Sequence, residues 1–342
     1  MTDPLTDAAE RLFAAETGRA VLHEAEAGRF PHALWRAVTE AGFPAALLPE
    51  TGATVPEALS LVRVAAAHAA PIPLAETMLA GWLLARAGLK VPDGPLTLAP
   101  VRPADRLALH RAGDSWRLTG RATRIPWARD AAFVVVLADG AVALVGTLGL
   151  PLARSQNLAN EPRDTVTFDL ALPAAAIAPA PSGFGPAQLH AAGAVLRTVQ
   201  IAGALSRVLA LTVQYAQTRV QFGRPIGKFQ AIQQNLAVLA GQCAAGGAAA
   251  DMAAEALATD LPSLLVGAAK ARAGEAASVA AGLAHQTHGA IGFAREYDLN
   301  HLTRRLWSWR GEFGNETAWN GIVGRAALAA GADGLWPMLT AA

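Results

Sequence analysis

Strand-like segments between residues 96 and 180 separate two regions of helical periodicity. Segments such as SWRLTGRATRI, AAFVVVLADG and DTVTFDLAL alternate in polarity and end at Gly, Asp, Pro or Asn, which is typical of a small β domain. On either side, apolar residues recur every three or four positions, as in helices. We therefore predict a mostly α-helical α+β fold with an N-terminal helical domain at 1–95, a small middle β-barrel domain at 96–183 and a C-terminal helical bundle at 184–342.

The bundle region is rich in alanine and glycine, as in CAAGGAAADMAAEALA. Leucine and valine keep returning at helical spacing, so this composition indicates helices that approach each other closely rather than disorder. The predicted helices lie at about 186–218, 226–258, 264–289, 295–309 and 316–331.

Composition limits the class of protein and its partners. With 342 residues, 53% of them hydrophobic and 16% charged, the chain can bury a large core. A net charge of +1, from 28 basic and 27 acidic residues spread along the chain, favours neither nucleic acid nor an anionic membrane as a partner. The single cysteine, Cys243, excludes an internal disulfide framework. Because the N-terminus does not resemble a signal peptide and the apolar runs are broken by Asp139 and glycines, we expect a cytoplasmic protein.

Common motifs for metals and nucleotides are missing. His285, His288 and His301 have no carboxylate or cysteine cluster to complete a ligand set, so we predict no metal. The sequence has no G-x-S-x-G turn after a strand, no Walker loop and no G-x-G-x-x-G fingerprint. A hydrolase triad and the usual nucleotide-binding loops are therefore not supported.

The segment YAQTRVQFGRPIGKFQAIQ at 215–233 combines a helix end, a corner and a helix start. A helix runs into Arg219, breaks at Gly-Arg-Pro and restarts near Phe229. The guanidinium group of an arginine can bind a pyrophosphate, and nearby aromatic and amide side chains can cover a flat ring and add hydrogen bonds. The segment QTHGAIGF at 286–293 adds small residues and the amide of Gln286. Taken alone, each segment also fits a surface ion pair or a helix-packing contact.

In combination, these features resemble the acyl-CoA dehydrogenase family. The order of helical, β and helical regions matches, and so do Y-A-x-x-R-x-Q-F-G-x-P-I-x-x-F-Q-x-x-Q and the later Q-x-x-G-G-x-G-F. The resemblance extends over nearly the whole chain. It includes GFPAALLPE at 42–50 and TVTFDLALPAAAIA at 165–178, which resembles the family's last β segment and the hinge after it.

The resemblance implies FAD as cofactor and an acyl-CoA substrate that is oxidised to the 2,3-enoyl-CoA. The family's R-x-Q-F-G segment contacts the pyrophosphate and adenosine side of an FAD held mainly by a neighbouring subunit. This implies cofactor-binding roles for Arg219, Gln221, Phe222 and Gln230. The family's Q-x-x-G-G implies the same for Gln286, Gly289 and Ala290, where alanine replaces the second glycine.

The reaction needs a carboxylate base for the α-proton. Residues 170–250 contain no Asp or Glu, and Gly193 lies about where one group of family members has its glutamate. Glu312 precedes Glu316 by four residues, the spacing of the family's alternative catalytic segment, which implies that Glu312 is the base. The alternative is a carboxylate that stabilises the start of the next helix. Gly311 stands where family members often have an aromatic residue, so we expect room for a branched or polycyclic acyl group.

Two segments depart from the family pattern. TLAPVRPADRLALHRAG and RATRIPWARDA replace the T-E-P-x-A-G-S-D loop and the K-x-W-I-T segment, which in the family wrap the flavin ring and the thioester. The segment expected to bind the diphosphate of FAD is therefore kept, while the segments expected to surround the flavin ring are altered. In the family, these two parts of one FAD site belong to different subunits.

The chain also resembles subunits of bacterial heterotetrameric dehydrogenases that act on CoA esters of steroid side chains. We predict a hetero-oligomer with a second acyl-CoA dehydrogenase-like chain, with a homotetramer as the alternative. The resemblance further implies a flavoprotein electron acceptor. Two other interpretations stay open: a non-catalytic structural subunit that lends Arg219 and Phe222 to a partner's FAD, and a flavin monooxygenase of the same fold.

Overall fold

The first part of the chain is helical. The computed structural model describes residues 4–113 and 115–340. The helices before the first strand are α1 (Pro4–Glu16), α2 (Arg19–Glu26), α3 (His32–Glu40), α4 (Val55–Ala67) and α5 (Leu74–Arg86). A capping box starts α4: the Thr54 hydroxyl accepts a hydrogen bond from the Glu57 backbone N–H, and the Glu57 carboxylate accepts one from the Thr54 N–H at 2.7 Å. The largely apolar sequence of α5 is buried along residues 74–84.

The middle part is made of strands. They are β1 (Leu96–Ala99), β2 (Arg106–Ala112), β3 (Ser115–Pro126), β4 (Phe133–Ala138), β5 (Ala141–Gly146), β6 (Leu152–Ala153), β7 (Arg163–Leu172) and β8 (Ile177–Pro179). Within the described residues they form two four-stranded sheets, with the orders β1-β4-β5-β8 and β2-β3-β7-β6. β1 and β4 run parallel, and the other neighbours are antiparallel.

The predicted β-barrel is corrected by this topology, because the two sheets stay open in the part of the chain that the structure describes. The edge strands β6 and β8 have only two and three residues, which is too short to join one sheet to the other. β2 and β3 approach so closely that a Cβ at Gly120 would lie 2.2 Å from the Arg106 carbonyl oxygen. The mostly helical α+β class itself is confirmed.

The last part is a helical bundle. Its helices are α6 (Pro186–Thr218), α7 (Gln230–Ala258), α8 (Ser263–His288), α9 (Leu299–Gly311) and α10 (Glu316–Thr340). Between α6 and α7, β9 (Val220–Gln221) pairs with β10 (Arg224–Pro225). α10 is kinked at Gly331, where φ is +66°. The predicted helices are confirmed, with shifted ends for α7, α9 and α10.

Small residues bring the bundle helices close to their neighbours. A Cβ at Gly203 of α6 would lie 2.0 Å from the Arg63 carbonyl oxygen of α4, so the two helix backbones touch at this glycine. At Gly246 of α7 a Cβ would lie 2.7 Å from the Leu205 side chain. One hydrophobic core cluster runs through all three parts of the chain. This packing confirms that the alanine-rich and glycine-rich runs are close helix contacts.

Two bundle helices have the length and apolar composition of a membrane span, whereas the apolar runs of the sequence were predicted to fall short of one. They are α6 and α7, and 72% of the most apolar window of α6 is buried within the protein against 33% of that of α7. Core helices of globular proteins can meet the same criteria. The division into domains at 95/96 and 183/184 stays an interpretation, and its outermost residues, 1–3 and 341–342, lie outside the described residues.

Candidate functional site

The corner after α6 is a tight hairpin. α6 ends at Thr218, and Arg219 already has extended backbone angles. Phe222 and Gly223 form the turn with φ of +51° and +79°, the sign that type I′ hairpin turns require. The Ile226 N–H donates to the Arg219 carbonyl at 2.8 Å, which closes the corner before α7 begins. The predicted helix end, break and restart are therefore confirmed.

The side chains predicted to bind FAD at this corner face outward. Arg219, Gln221, Phe222 and Gln230 are exposed, and the Phe222 side chain is 91% exposed. The Phe222 ring stands edge-on to that of Phe229, with centroids 6.1 Å apart. Among the described residues, no carboxylate pairs with the Arg219 guanidinium. The corner therefore presents an exposed aromatic ring and a guanidinium group without an ion pair among the described residues, and both groups can contact another molecule.

The end of α8 lies beside this corner. Gln286, Gly289 and Ala290 are exposed, and Gly289 has a φ of +64° where α8 ends. The Tyr215 ring, one turn before Arg219, stacks on the His288 ring with centroids 4.4 Å apart. The Tyr215 hydroxyl also donates to the His288 carbonyl at 3.3 Å. The fold thus brings the two predicted cofactor-binding segments side by side on one surface.

The predicted base, Glu312, lies elsewhere, in the segment between α9 and α10. Its side chain is 9% exposed. Arg163 donates to Glu312 Oε1 from Nε at 2.7 Å and to Oε2 from Nη2 at 3.0 Å. Arg197 donates from Nε to Oε2 at 2.7 Å, and Asn157 donates to Oε1 at 3.2 Å. Both carboxylate oxygens are therefore engaged by guanidinium groups.

These arginines belong to a buried charge cluster that joins all three parts of the chain. Arg197 also donates to Glu76 of α5 at 2.7 Å, and Arg163 donates to Glu161 at 2.9 Å. Arg305 of α9 lies 3.1 Å from Glu161. The cluster consists of Glu76, Glu161, Glu312, Arg163, Arg197 and Arg305, and its formal charges cancel.

The cluster sets the protonation state of Glu312. Burial raises the pKa of this carboxyl, but the charges of Arg163 and Arg197 outweigh it and lower the pKa to about 2. Hydrogen bonds from Arg163 and Asn157 act in the same direction. A general base works best when its pKa lies near the working pH. In this conformation Glu312 is a stabilised anion and a weak base.

Glu312 lies at the wall of a cavity of about 570 Å³. Residues from the segments that replace the family's ring-side motifs also line the cavity, namely Val101, Arg102, Pro103 and Arg124. A second cavity of about 550 Å³ shares Val101, Arg102, Pro103 and His190 with it. The two cavities thus adjoin across one loop and one residue of α6.

The position of Gly193 on α6 is covered by an aromatic ring. A Cβ at Gly193 would lie 2.2 Å from the Phe313 ring. The Arg197 guanidinium carbon in turn lies over the Phe313 ring, 5.4 Å from the centroid of the ring. The structure therefore leaves no space for a side chain at Gly193, the position at which the resemblance implied the glutamate of one group of family members.

The arginines around Glu312 were missed by the motif search, because no short pattern contains them. The available signal is a lone charge in an apolar helix, such as Arg197 in AAGAVLRTVQIAG and Glu76 in LAETMLAGW. Charged residues are rarely buried without a partner, so each of them predicts a buried contact. For possible metal ligands, the described residues contain no group of three His, Cys, Asp or Glu side chains that could hold an ion.

The family model "Acyl-CoA dehydrogenase, C-terminal domain" matches residues 190–328. Acyl-CoA dehydrogenase IpdE2 of Mycolicibacterium smegmatis is 29% identical over 302 residues, which cover 86% of this chain and 88% of that protein. IpdE2 of Mycobacterium tuberculosis is 42% identical over 114 residues, 33% of this chain and 34% of that protein.

The chain is also similar in fold to solved structures. A chain of the ChsE4–ChsE5 complex from Mycobacterium tuberculosis superposes with a TM-score of 0.81 at 25% identity, covering 96% of this chain and 98% of that chain. A variant of the Tcur3481–Tcur3483 steroid ACAD gives a TM-score of 0.83 at 26% identity, covering 95% of this chain and 98% of that chain.

Proposed function

Because the chain belongs to the acyl-CoA dehydrogenase family, we propose that it is a subunit of an FAD-dependent enzyme that desaturates an acyl-CoA thioester between its α- and β-carbons. The observation that carries this proposal is the exposed corner after α6, with its free Arg219 guanidinium and exposed Phe222 ring beside the end of α8. When bound, FAD would accept the hydride that leaves the β-carbon.

The residues at the corner fit the diphosphate and adenosine side of FAD. Arg219 can donate to phosphate oxygens without breaking an existing ion pair, and the Phe222 ring is free to cover a flat ring system. Amide groups of Gln221, Gln230 and Gln286 add hydrogen-bonding tips, while Gly289 and Ala290 carry little side chain to keep a ligand away from the backbone. Because the side chains of this surface face outward, they would contact a nucleotide held mainly by a neighbouring subunit.

Substituting Arg219 tests this role. In the assembled enzyme, Arg219→Ala removes a charge-assisted contact of about 1.5–3 kcal/mol, which corresponds to about a tenfold to 150-fold weaker affinity for FAD. Arg36→Ala is the matched control, because Arg36 is exposed on α3, away from the corner. The measurement is FAD retained after dialysis, read from the flavin absorbance. Equal FAD retention in both variants would contradict the proposal.

We extend the proposal to bulky, steroid-type acyl groups. Gly311 lines the cavity at Glu312, and a Cβ placed on it would meet nothing within 4 Å. Space beside the segment that carries Glu312 therefore supports a large acyl group. The test is the turnover of a CoA ester of a steroid side chain against straight-chain acyl-CoAs, in the wild-type enzyme and in Gly311→Phe. A straight-chain preference of the wild type would count against this extension.

We also propose a cytoplasmic hetero-oligomer with a second acyl-CoA dehydrogenase-like chain, which passes its electrons to a flavoprotein acceptor. The outward-facing corner and the altered ring-side segments support a partner that supplies the other half of the FAD site. The heteromeric ChsE4–ChsE5 complex is a related example. Purifying the chain alone and measuring its mass and flavin content tests the assembly. One FAD per chain with full activity in a homotetramer would favour the alternative.

A second candidate function is favoured by the contacts of Glu312. A base must take the α-proton on a carboxylate oxygen, yet both oxygens of Glu312 accept hydrogen bonds from guanidinium groups. This supports a non-catalytic subunit that supplies Arg219 and Phe222 to its partner's FAD. Measuring desaturation by the reconstituted complex with Glu312→Gln distinguishes the two roles. Retained activity supports the structural subunit, whereas loss of activity in a stable complex supports the base.

A further inference from the structure

Lys270 is a buried lysine in α8 that the proposed function does not use. It is 1% exposed and lies in a segment of small apolar residues. Its Nζ donates to the Arg310 carbonyl at 2.7 Å and to the Gly314 carbonyl at 2.8 Å. These carbonyls stand at the two ends of residues 310–314, here called the Glu312 segment.

The Glu312 segment needs such contacts to keep its conformation. Carbonyls in the last turn of a helix have no partner within the helix, so an outside donor satisfies the Arg310 carbonyl at the end of α9. Phe313 has a φ of +52°, a left-handed angle that a non-glycine residue holds only where its surroundings fix it. From α10, Trp319 Nε1 donates to the Phe313 carbonyl at 2.9 Å. Lys270 and Trp319 thus hold the segment from two helices.

We propose that Lys270 is a positioning residue: by joining both ends of the Glu312 segment, it fixes the wall of the 570 Å³ cavity that Glu312 and Phe313 form. The inference rests on the proposed function for its relevance to the reaction. Its structural content, a lysine that sets the conformation of this segment, can be tested without turnover or FAD.

Charged groups surround Lys270 on several elements. Glu312 and Glu316 favour its protonated form, while Arg197 and Arg310 oppose it. His190 on α6 also senses its charge. Burial is the largest effect and lowers the pKa of Lys270 to about 7. Its two carbonyl acceptors match the two N–H groups of a neutral amine, and no third acceptor for an ammonium group stands among its hydrogen bonds within the described residues.

The protonation state of Lys270 therefore changes near neutral pH. An unfolded lysine keeps its proton up to a pH of about 10.4, so the unfolded state binds more protons than the folded state between about pH 7 and that value. Stability should rise with pH in this window, because the folded protein has lost its buried charge while both hydrogen bonds remain. Loss of the charge weakens the two hydrogen bonds without breaking them, so the Glu312 segment should respond at the same midpoint.

Nuclear magnetic resonance of the full chain, labelled with ¹³C at lysine Cε and ¹⁵N at the tryptophan indoles, tests this inference. The lysines are Lys90, Lys228 and Lys270, so the spectrum holds few lysine signals to assign. We expect Lys270 to titrate near pH 7, well below the ordinary range of a lysine side chain. We expect the Trp319 indole signal to move with the same midpoint. A Lys270 midpoint in the ordinary range of a lysine side chain, or an indole signal that does not follow it, would overturn the inference.

The variant Lys270→Met removes both hydrogen bonds while keeping a side chain of similar length, and Lys90→Met on the exposed loop is the control. We expect Lys270→Met to shift the Trp319 indole signal and to abolish its response near pH 7, while Lys90→Met leaves both unchanged. His190 stacks on Trp319, but burial lowers the pKa of its imidazole, so its response should lie below that of Lys270; a response near pH 7 that survives in Lys270→Met would overturn the inference. If Lys270→Met does not fold, the wild-type titration decides.

Discussion

Replacing Glu312 with glutamine should destabilise the protein, because Glu312 is the common counter-ion of two buried arginines. The substitution keeps the size of the side chain and removes its charge. Within the described part of the chain, the carboxylate left to Arg163 is then Glu161, which it shares with Arg305, and the carboxylate left to Arg197 is Glu76. One glutamine oxygen can still accept a hydrogen bond, but the new NH₂ group must face a guanidinium group.

Two estimates give the magnitude of this effect. Lowering the pKa of Glu312 from 4.5 to about 2 corresponds to about 3 kcal/mol of stabilisation. Removing one partner of a buried ion pair generally costs about 3–5 kcal/mol, since the other charge stays buried without compensation. We therefore expect Glu312→Gln to lose about 3–5 kcal/mol of unfolding free energy.

The assay is urea unfolding of wild type, Glu312→Gln and the matched control Glu40→Gln, whose carboxylate is exposed on α3. A double variant, Glu312→Gln with Arg163→Met, rebalances the charges and should be more stable than the sum of the single effects predicts, by about 0.5–3 kcal/mol. If Glu312→Gln matches Glu40→Gln in stability, the account of a buried counter-ion is refuted. Loss of desaturation in that stable variant would instead identify Glu312 as the base.

Three further predictions follow from the same geometry. Glu312 stabilises the fold fully above a pH of about 4.5 and progressively less as the pH falls towards about 2, since its folded pKa lies below its unfolded one; acid denaturation of wild type should therefore be steeper than that of Glu312→Gln. Gly193→Ala should cost about 1–3 kcal/mol in urea unfolding, because its Cβ would overlap the Phe313 ring. Phe222→Gly should relieve about 1 kcal/mol of left-handed backbone strain and stabilise the isolated chain. The same variant should retain less FAD in the complex; a loss of stability with unchanged FAD retention would contradict this role.

Local pattern predicted most of the secondary structure, and long-range contacts explain where it failed. Repeating leucine, valine and alanine located α6 and α8 to within a residue or two. α9 begins at Leu299 rather than 295, because the Asn300 side chain bonds the Ala294 and Tyr297 carbonyls of the preceding turn. α7 begins at Gln230 because residues 226–228 form a separate 3₁₀ turn. Whether the strands close into a barrel depends on pairings between distant segments, which periodicity does not contain.

One part of the candidate site is encoded in local sequence, and the other part depends on long-range contacts. The corner at Arg219 and Phe222 is encoded within a few residues, so the motif indicated its shape. The environment of Glu312 is not local: its partners Arg163 and Arg197 lie 149 and 115 residues away in sequence. A spacing motif singled out the carboxylate of Glu312, but only the tertiary structure shows which charges surround it. The roles of Arg219, Gln286 and Glu312 stay predictions.

The charge cluster around Glu312 also limits how the protein can be truncated. A fragment that starts at α6 would keep Arg197, Arg305 and Glu312 and would lose Glu76, Glu161 and Arg163. Two cations and one anion would then remain at a site whose formal charges cancel in the full chain. Their former partners would be missing. We therefore expect a fragment that begins at α6 to be less stable than the full chain, and truncation studies of this protein need to retain the residues before α6 that carry Glu76, Glu161 and Arg163.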